Sequence, residues 1–108
     1  MNSIPTLLPS SNERVPAATV PFRCDMKMQV RFSDIDILGH ANNNAIFAML
    51  DLAKIDYFER ITGDKSLSKV RAAVVNINCD FYEPIYFADN LHIFTTICRV
   101  GRRSFTLE

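Results

Sequence analysis

Apolar and polar residues alternate from Met26 to Phe32, with Met26, Met28, Val30 and Phe32 set against Lys27, Gln29 and Arg31. Successive side chains of an extended chain point to opposite faces, so this spacing predicts a half-buried strand. Residues 33–43 replace the alternation with Asp, Asn and Gly and predict a loop. The period then changes. Ile46, Met49, Leu50, Ala53, Tyr57 and Ile61 fall on a 3.6-residue repeat, which predicts a helix starting near Asn43 or Asn44 and stopped by Gly63. The asparagines at 42–44 are suited to cap it.

Phe47, Leu52, Ile55 and Phe58 add apolar groups outside that stripe, so the helix is expected to be largely enclosed. Downstream, Ala73, Val75, Ile77, Cys79 and Phe81 alternate with Val74, Asn76, Asn78, Asp80 and Tyr82, the pattern of a long strand with an apolar inner face. Pro84 and the Ala88-Asp89-Asn90 cluster interrupt it. Leu91–Arg99 predicts another strand, Val100-Gly101 a turn, and Phe105 and Leu107 a further strand in which the chain stops. One strand, one long helix and a series of antiparallel strands is an α+β plan with the helix against one face of a sheet.

Four of the five prolines lie in the first 21 residues beside Ser, Asn and Thr. Residues 1–22 are therefore expected to form a loosely ordered arm, and residues 23–108 a single domain. A chain of 108 residues, 48% hydrophobic, supports one core. Twelve basic and twelve acidic residues cancel, so no global field draws the protein to nucleic acid or to an anionic membrane. No segment approaches the roughly 20 apolar residues of a membrane helix, and the N-terminal residues lack the layout of a secretory signal. A cytoplasmic location is expected. Cys24, Cys79 and Cys98 are odd in number and far apart, without a C-x-x-C pair, and predict reduced, buried side chains and no zinc or redox centre.

The chemistry concentrates in FSDIDILGHANNN, between a strand end and a helix start. The first turn of a helix presents unpaired N–H groups and a partial positive charge, which polarise a carbonyl and hold the oxyanion formed when it is attacked. Gly39 permits close backbone approach. A carboxylate such as Asp36 suits a general base on water or a direct nucleophile on an acyl carbon, and His40 suits orienting water or tuning Asp36. A thioester fits this equipment, because its thiolate, with a conjugate-acid pKa of about 8.5, leaves without strong acid help. A D-x-D-x-x-G loop is also a plain capped turn. Calcium is excluded by Leu38 and Ala45, which stand where an EF-hand needs Asp or Asn and then Glu.

The string 34–43 resembles the D-x-D-x-x-G-H-x-N-N signature of the hotdog-fold acyl-CoA thioesterases of the 4-hydroxybenzoyl-CoA thioesterase type. Leu50-Asp51, Ala53-Lys54 and Tyr57-Phe58 continue in register with that family, as do Tyr82-Glu83-Pro84-Ile85 and the Gly-Arg-Arg-Ser-Phe run at 101–105. The resemblance covers residues 26–108, with only the loop motif strongly specific. It implies a hotdog fold, an antiparallel sheet wrapped around a long central helix, here with C-terminal strands short or missing. It implies a homodimer or homotetramer that hydrolyses an acyl-CoA or acyl carrier protein thioester without cofactor or metal.

Position by position, it makes Asp36 the catalytic carboxylate with His40 beside it, and Asp34 a structural partner. Backbone N–H groups at Gly39, Ala41, Asn42 and Asn43 face the thioester carbonyl, and Arg102 and Arg103 meet the phosphates of CoA. Leu38 replaces an asparagine that the acyl carrier protein branch uses with its histidine, which favours Asp36 over His40 as the centre of the chemistry. Ile46 replaces a common tyrosine at the acyl pocket. The alternative is a non-catalytic or truncated hotdog module that binds acyl thioesters, since hotdog subunits continue for one or two strands beyond the position of Glu108.

Overall fold

The helix α1 spans Asn43–Thr62, as the 3.6-residue repeat predicts. Asn42 stands outside it in extended conformation, and its side chain accepts the Asn44 N–H at 2.7 Å. One of the four orphan donors at the helix start is thereby satisfied. At the other end Gly63 adopts φ +70° and returns its N–H to Glu59 O at 2.8 Å, a left-handed stop that a side chain would strain. Arg60 pairs with Asp56 at 2.9 Å in the last turns, where a cation complements the helix dipole.

The computed structural model describes residues 21–22, 24–66 and 70–108, so nearly all of the expected arm lies outside the described residues. Four strands accompany the helix: β1 Cys24–Met28, β2 Leu91–Thr95, β3 Ile97–Val100 and β4 Phe105–Leu107. β1 and β2 pair antiparallel with Cys24 opposite Thr95 and Met28 opposite Leu91. β3 and β4 form a second antiparallel pair around the turn in which Gly101 N–H donates to Ser104 O at 2.7 Å. Thr96 separates β2 from β3, and its exchange of backbone hydrogen bonds with Glu108 lengthens the second pair. The α+β plan is therefore present, with helix and antiparallel strands in one unit.

The core gathers where α1 crosses both sheets. Cys24, Tyr57 and Phe58 are buried together, with Val70, Ile97 and Leu107 packed against them. Burial of such side chains contributes about 1.5–3 kcal/mol each. Tyr57 also serves the second sheet, because its hydroxyl accepts the Ile97 N–H at 3.0 Å, where the β3–β4 register slips between Ile97 and Arg99. The bulge would otherwise leave that donor unpaired.

Several expectations differ from the structure. The first strand ends at Met28, and Phe32, expected on its inner face, is 84% exposed. The cause is local: Asp34 captures the Arg31 N–H at 2.8 Å and its guanidinium at 3.0 Å, so the chain coils into a 3-10 turn at Phe32–Asp34 instead of staying extended. The long strand expected over 73–82 does not form. Residues 71–80 join no strand ladder, and Val75 is 92% exposed. A strand exists only beside another, and no described segment lies along this one. The helix is consequently enclosed on one side only, with Met49, Ala53, Tyr57 and Phe58 buried and Leu52, Ile55 and Ile61 exposed. Of the cysteines only Cys24 is buried, while Cys79 lies exposed in the unpaired segment; all three are free.

Two stability measurements test these contacts. Tyr57→Phe removes the acceptor for Ile97 N–H and is expected to cost about 1 kcal/mol, a fall in Tm of roughly 4–8 °C for a domain of this size. An unchanged Tm would remove the bond from the account. The Asp34 carboxyl lies below the usual carboxylate range, held there by hydrogen bonds from the Arg31 side chain and then from its backbone N–H. Its stabilisation is full above the unfolded pKa of about 3.9 and is lost as pH falls through the lower folded value. Asp34→Asn should therefore lower stability at pH 7 and flatten its decline below about pH 4. An acid limb as steep as the parent's would contradict this.

Candidate functional site

The loop between β1 and α1 is a closed turn. Ile35 and Ala41 form an antiparallel bridge at its neck, Asp36 N–H donates to His40 O at 3.2 Å, and Gly39 N–H returns to Asp36 O at 3.0 Å. Gly39 reaches φ +87°, which explains glycine at this position, and no atom lies within 4 Å of where a Cβ would stand. The Asp36 carboxylate accepts the Leu38 N–H at 2.9 Å, a side-chain-closed turn that fixes its orientation. The tip, Ile37 and Leu38, stands in solvent, with Ile37 fully exposed.

Two hydrogen bonds seat this loop on the fold. Asn42 N–H donates to Asp34 O at 2.9 Å, and Ala41 N–H donates to Ile85 O at 2.7 Å. The second ties the helix start to the segment 81–85, more than forty positions away in sequence. Between them lies a half-open cavity of about 180 Å³, walled on the helix side by His40, Ala41, Asn43 and Ile46 and on the other by residues 81–85. Phe81 meets Phe47 edge to face at 5.9 Å, and Tyr86 meets the His40 ring edge to face at 6.5 Å, so aromatic contacts brace both sides.

The expected site residues fall into three groups. His40, Ala41 and Asn43 line the cavity, whereas Asp36 is half-buried in the adjoining turn and lies outside the lining. Of the four N–H groups expected to face a carbonyl, those of Gly39, Ala41 and Asn42 already donate to Asp36, Ile85 and Asp34. The Asn43 N–H has no acceptor among the described residues, as the geometry of a first helical position requires. Arg102 and Arg103 sit exposed in the β3–β4 turn and form no ion pair among the described residues. His92 lies on the outer face of β2, 2.9 Å from Asp25, away from this chemistry. Among the described residues no group of three His, Cys, Asp or Glu side chains could hold a metal.

Sequence reasoning read Tyr82-Glu83-Pro84-Ile85 as a step shared with the resembled family but gave it no place in the site. The role of Arg31 was equally hidden, since a basic residue three positions before an aspartate is common on any surface.

Among characterised families, the model of the thioesterase superfamily matches residues 38–108. The matched stretch takes in the cavity, the helix and the strands that follow, and begins just after Asp36. The uncharacterized protein YsmA of Bacillus subtilis (strain 168) is 30% identical over 82 residues, which are 76% of this chain and 56% of that protein. The chain thus spans about half the length of the relative it matches. No solved structure matches. The fold of the matched superfamily is the hotdog, which agrees with one long helix set against antiparallel strands. With the match running through well over half its residues, the chain belongs to the thioesterase superfamily.

Proposed function

We propose that the protein is an acyl-CoA thioesterase that converts an acyl-CoA thioester and water to free acid and CoA. The observation that carries this reading is the small half-open cavity at the start of α1, lined by His40 and by Asn43, whose N–H has no acceptor among the described residues, beside the Asp36 turn. The thioester carbonyl sits at the helix N-terminus, where the dipole and the Asn43 N–H favour the developing oxyanion. Asp36, in the turn adjoining the cavity, acts as base by taking a proton from water, or as the nucleophile by forming an acyl anhydride that water then hydrolyses. In either course the C–S bond breaks and the thiolate leaves with the electron pair. His40 orients water within the same chamber.

Arg102 and Arg103, exposed and without an ion pair among the described residues, suit the phosphates of CoA. An acyl carrier protein, whose arm ends in the same phosphopantetheine, is the other thioester carrier that this site would accept. The second reading, a module that binds acyl thioesters without turning them over, is favoured by one observation: the Asp36 carboxylate is engaged by Leu38 and lies outside the cavity lining.

The working form is a homodimer or homotetramer in the cytoplasm. Residues 71–80 lie outside any ladder, with Val74, Val75 and Ile77 exposed. An open apolar edge of this length is a liability that pairing with a second copy removes. No described helix is long and apolar enough to cross a membrane.

Three measurements test the proposal. Asp36→Ala is expected to lower kcat at least about 100-fold across a panel of acyl-CoA thioesters followed by thiol release. Hydrolysis at the parent rate would sink the role given to Asp36, and a parent that binds the panel without releasing thiol would favour the binding module. Arg102→Ala with Arg103→Ala should raise KM for acyl-CoA by about tenfold or more while leaving KM for the matching pantetheine thioester unchanged, since only the former carries the nucleotide phosphates. Light scattering should return at least twice the 12.3 kDa of one chain. A monomer at micromolar concentration would overturn the assembly.

A further inference from the structure

The residues lining the cavity include one acidic residue, exposed, that the proposed chemistry does not use. Glu83 lies in the wall between Tyr82 and Pro84. Among the described residues no Lys, Arg or His side chain comes within ion-pair distance of Glu83, because the ion pairs are Arg31–Asp34, Lys54–Asp51, Arg60–Asp56 and His92–Asp25. Its charge is therefore not neutralised locally. Its backbone is held in place as well. Pro84 fixes the next φ, Ile85 O is bound to the Ala41 N–H at 2.7 Å, and the Tyr86 N–H is bound to the Asp89 carboxylate at 2.8 Å.

The size of the chamber makes that charge consequential. A volume of about 180 Å³ is small beside the roughly 300–1,000 Å³ of common ligand pockets, so the cavity suits a short acyl group. With its carbonyl at the start of α1, the far end of such a group remains within about one Debye length of Glu83, ~8 Å at physiological salt. The remaining lining is apolar or neutral apart from His40, so nothing else in the wall offsets the carboxylate.

We propose that Glu83 sets the charge selectivity of the cavity, admitting short neutral acyl groups and disfavouring acyl groups that end in a carboxylate. Selection of this kind works by repelling the wrong ligand, without adding a contact to the right one. The inference rests on the thioester reading of the same site. It makes Glu83 a specificity-determining residue and leaves the bond-breaking step to the groups described above.

The test compares butyryl-CoA with succinyl-CoA, equal in carbon number and different in terminal charge, at low salt. The parent should favour butyryl in kcat/KM. Glu83→Gln should narrow that preference about fivefold and Glu83→Lys should narrow it further, while added salt narrows it in the parent and not in the Gln variant. A butyryl-to-succinyl ratio unchanged in both variants overturns the proposal. If the parent hydrolyses neither thioester, the thioesterase reading fails for this pair, and the selectivity is read from Kd values of the two non-hydrolysable thioether analogues. A ratio shifted by the variants supports the role of Glu83. An unchanged ratio, or no binding of either analogue, overturns it.

Discussion

Asp34 joins the end of the first strand to the start of the helix through both of its polar functions. Its carboxylate gathers the Arg31 N–H and guanidinium, and its carbonyl receives the Asn42 N–H. The side chain is almost wholly buried, so these partners replace water that the group has lost. Everything between Asp34 and Asn42 is consequently a loop with fixed ends. Asp36, Gly39 and His40 are placed by that constraint, and the cap on α1 is presented in one orientation. Arg31 is mostly exposed, so the pair contributes chiefly by shaping the chain, as solvent-screened ion pairs add little energy.

A second constraint runs through the other half of the molecule. Backbone donors and acceptors need partners, and within one chain the four strands form two separate pairs. Each pair covers part of α1, which leaves Leu52 and Ile55 on an open face and residues 71–80 outside any ladder. The two features have one physical origin. A sheet continuous enough to wrap the helix needs residues 71–80 as a member, and the pairing that would make them one is not supplied by the described part of this chain.

How far the molecule was legible in its amino-acid order follows from the same distinction between local and distant causes. The helix, its Asn42 cap and its Gly63 stop depend on contacts three or four residues apart, and they stand where the pattern puts them. So does the β3–β4 turn, whereas the single strand expected over Leu91–Arg99 is split at Thr96 into β2 and β3 of separate sheets. The 73–82 alternation is equally clear as a pattern, but a strand depends on a neighbour that no pattern can name. Phe32 went astray for a smaller reason, since alternation carries no sign of the Arg31–Asp34 closure that ends it. In the site, His40 and Asn43 were visible because a loop motif precedes a helix. The wall formed by residues 81–85 was not, because it is brought there by one hydrogen bond between Ala41 and Ile85.

That hydrogen bond also decides how the chemistry is divided. By consuming the Ala41 N–H it removes one donor from the helix end, just as the Asp34 carbonyl removes the Asn42 donor, so the electrophilic character of the site narrows toward the Asn43 N–H and the dipole behind it. In exchange it fixes the segment 81–85, Glu83 included, opposite that point. A helix start with many free donors suits a multiply charged anion such as phosphate. One with several of its donors already engaged, and with a small cavity and a carboxylate turn beside it, fits the proposed reading of a neutral carbonyl that acquires charge only as it reacts. The number of backbone donors already spent at the helix start is a property of the folded loop and not of the residues named in its motif.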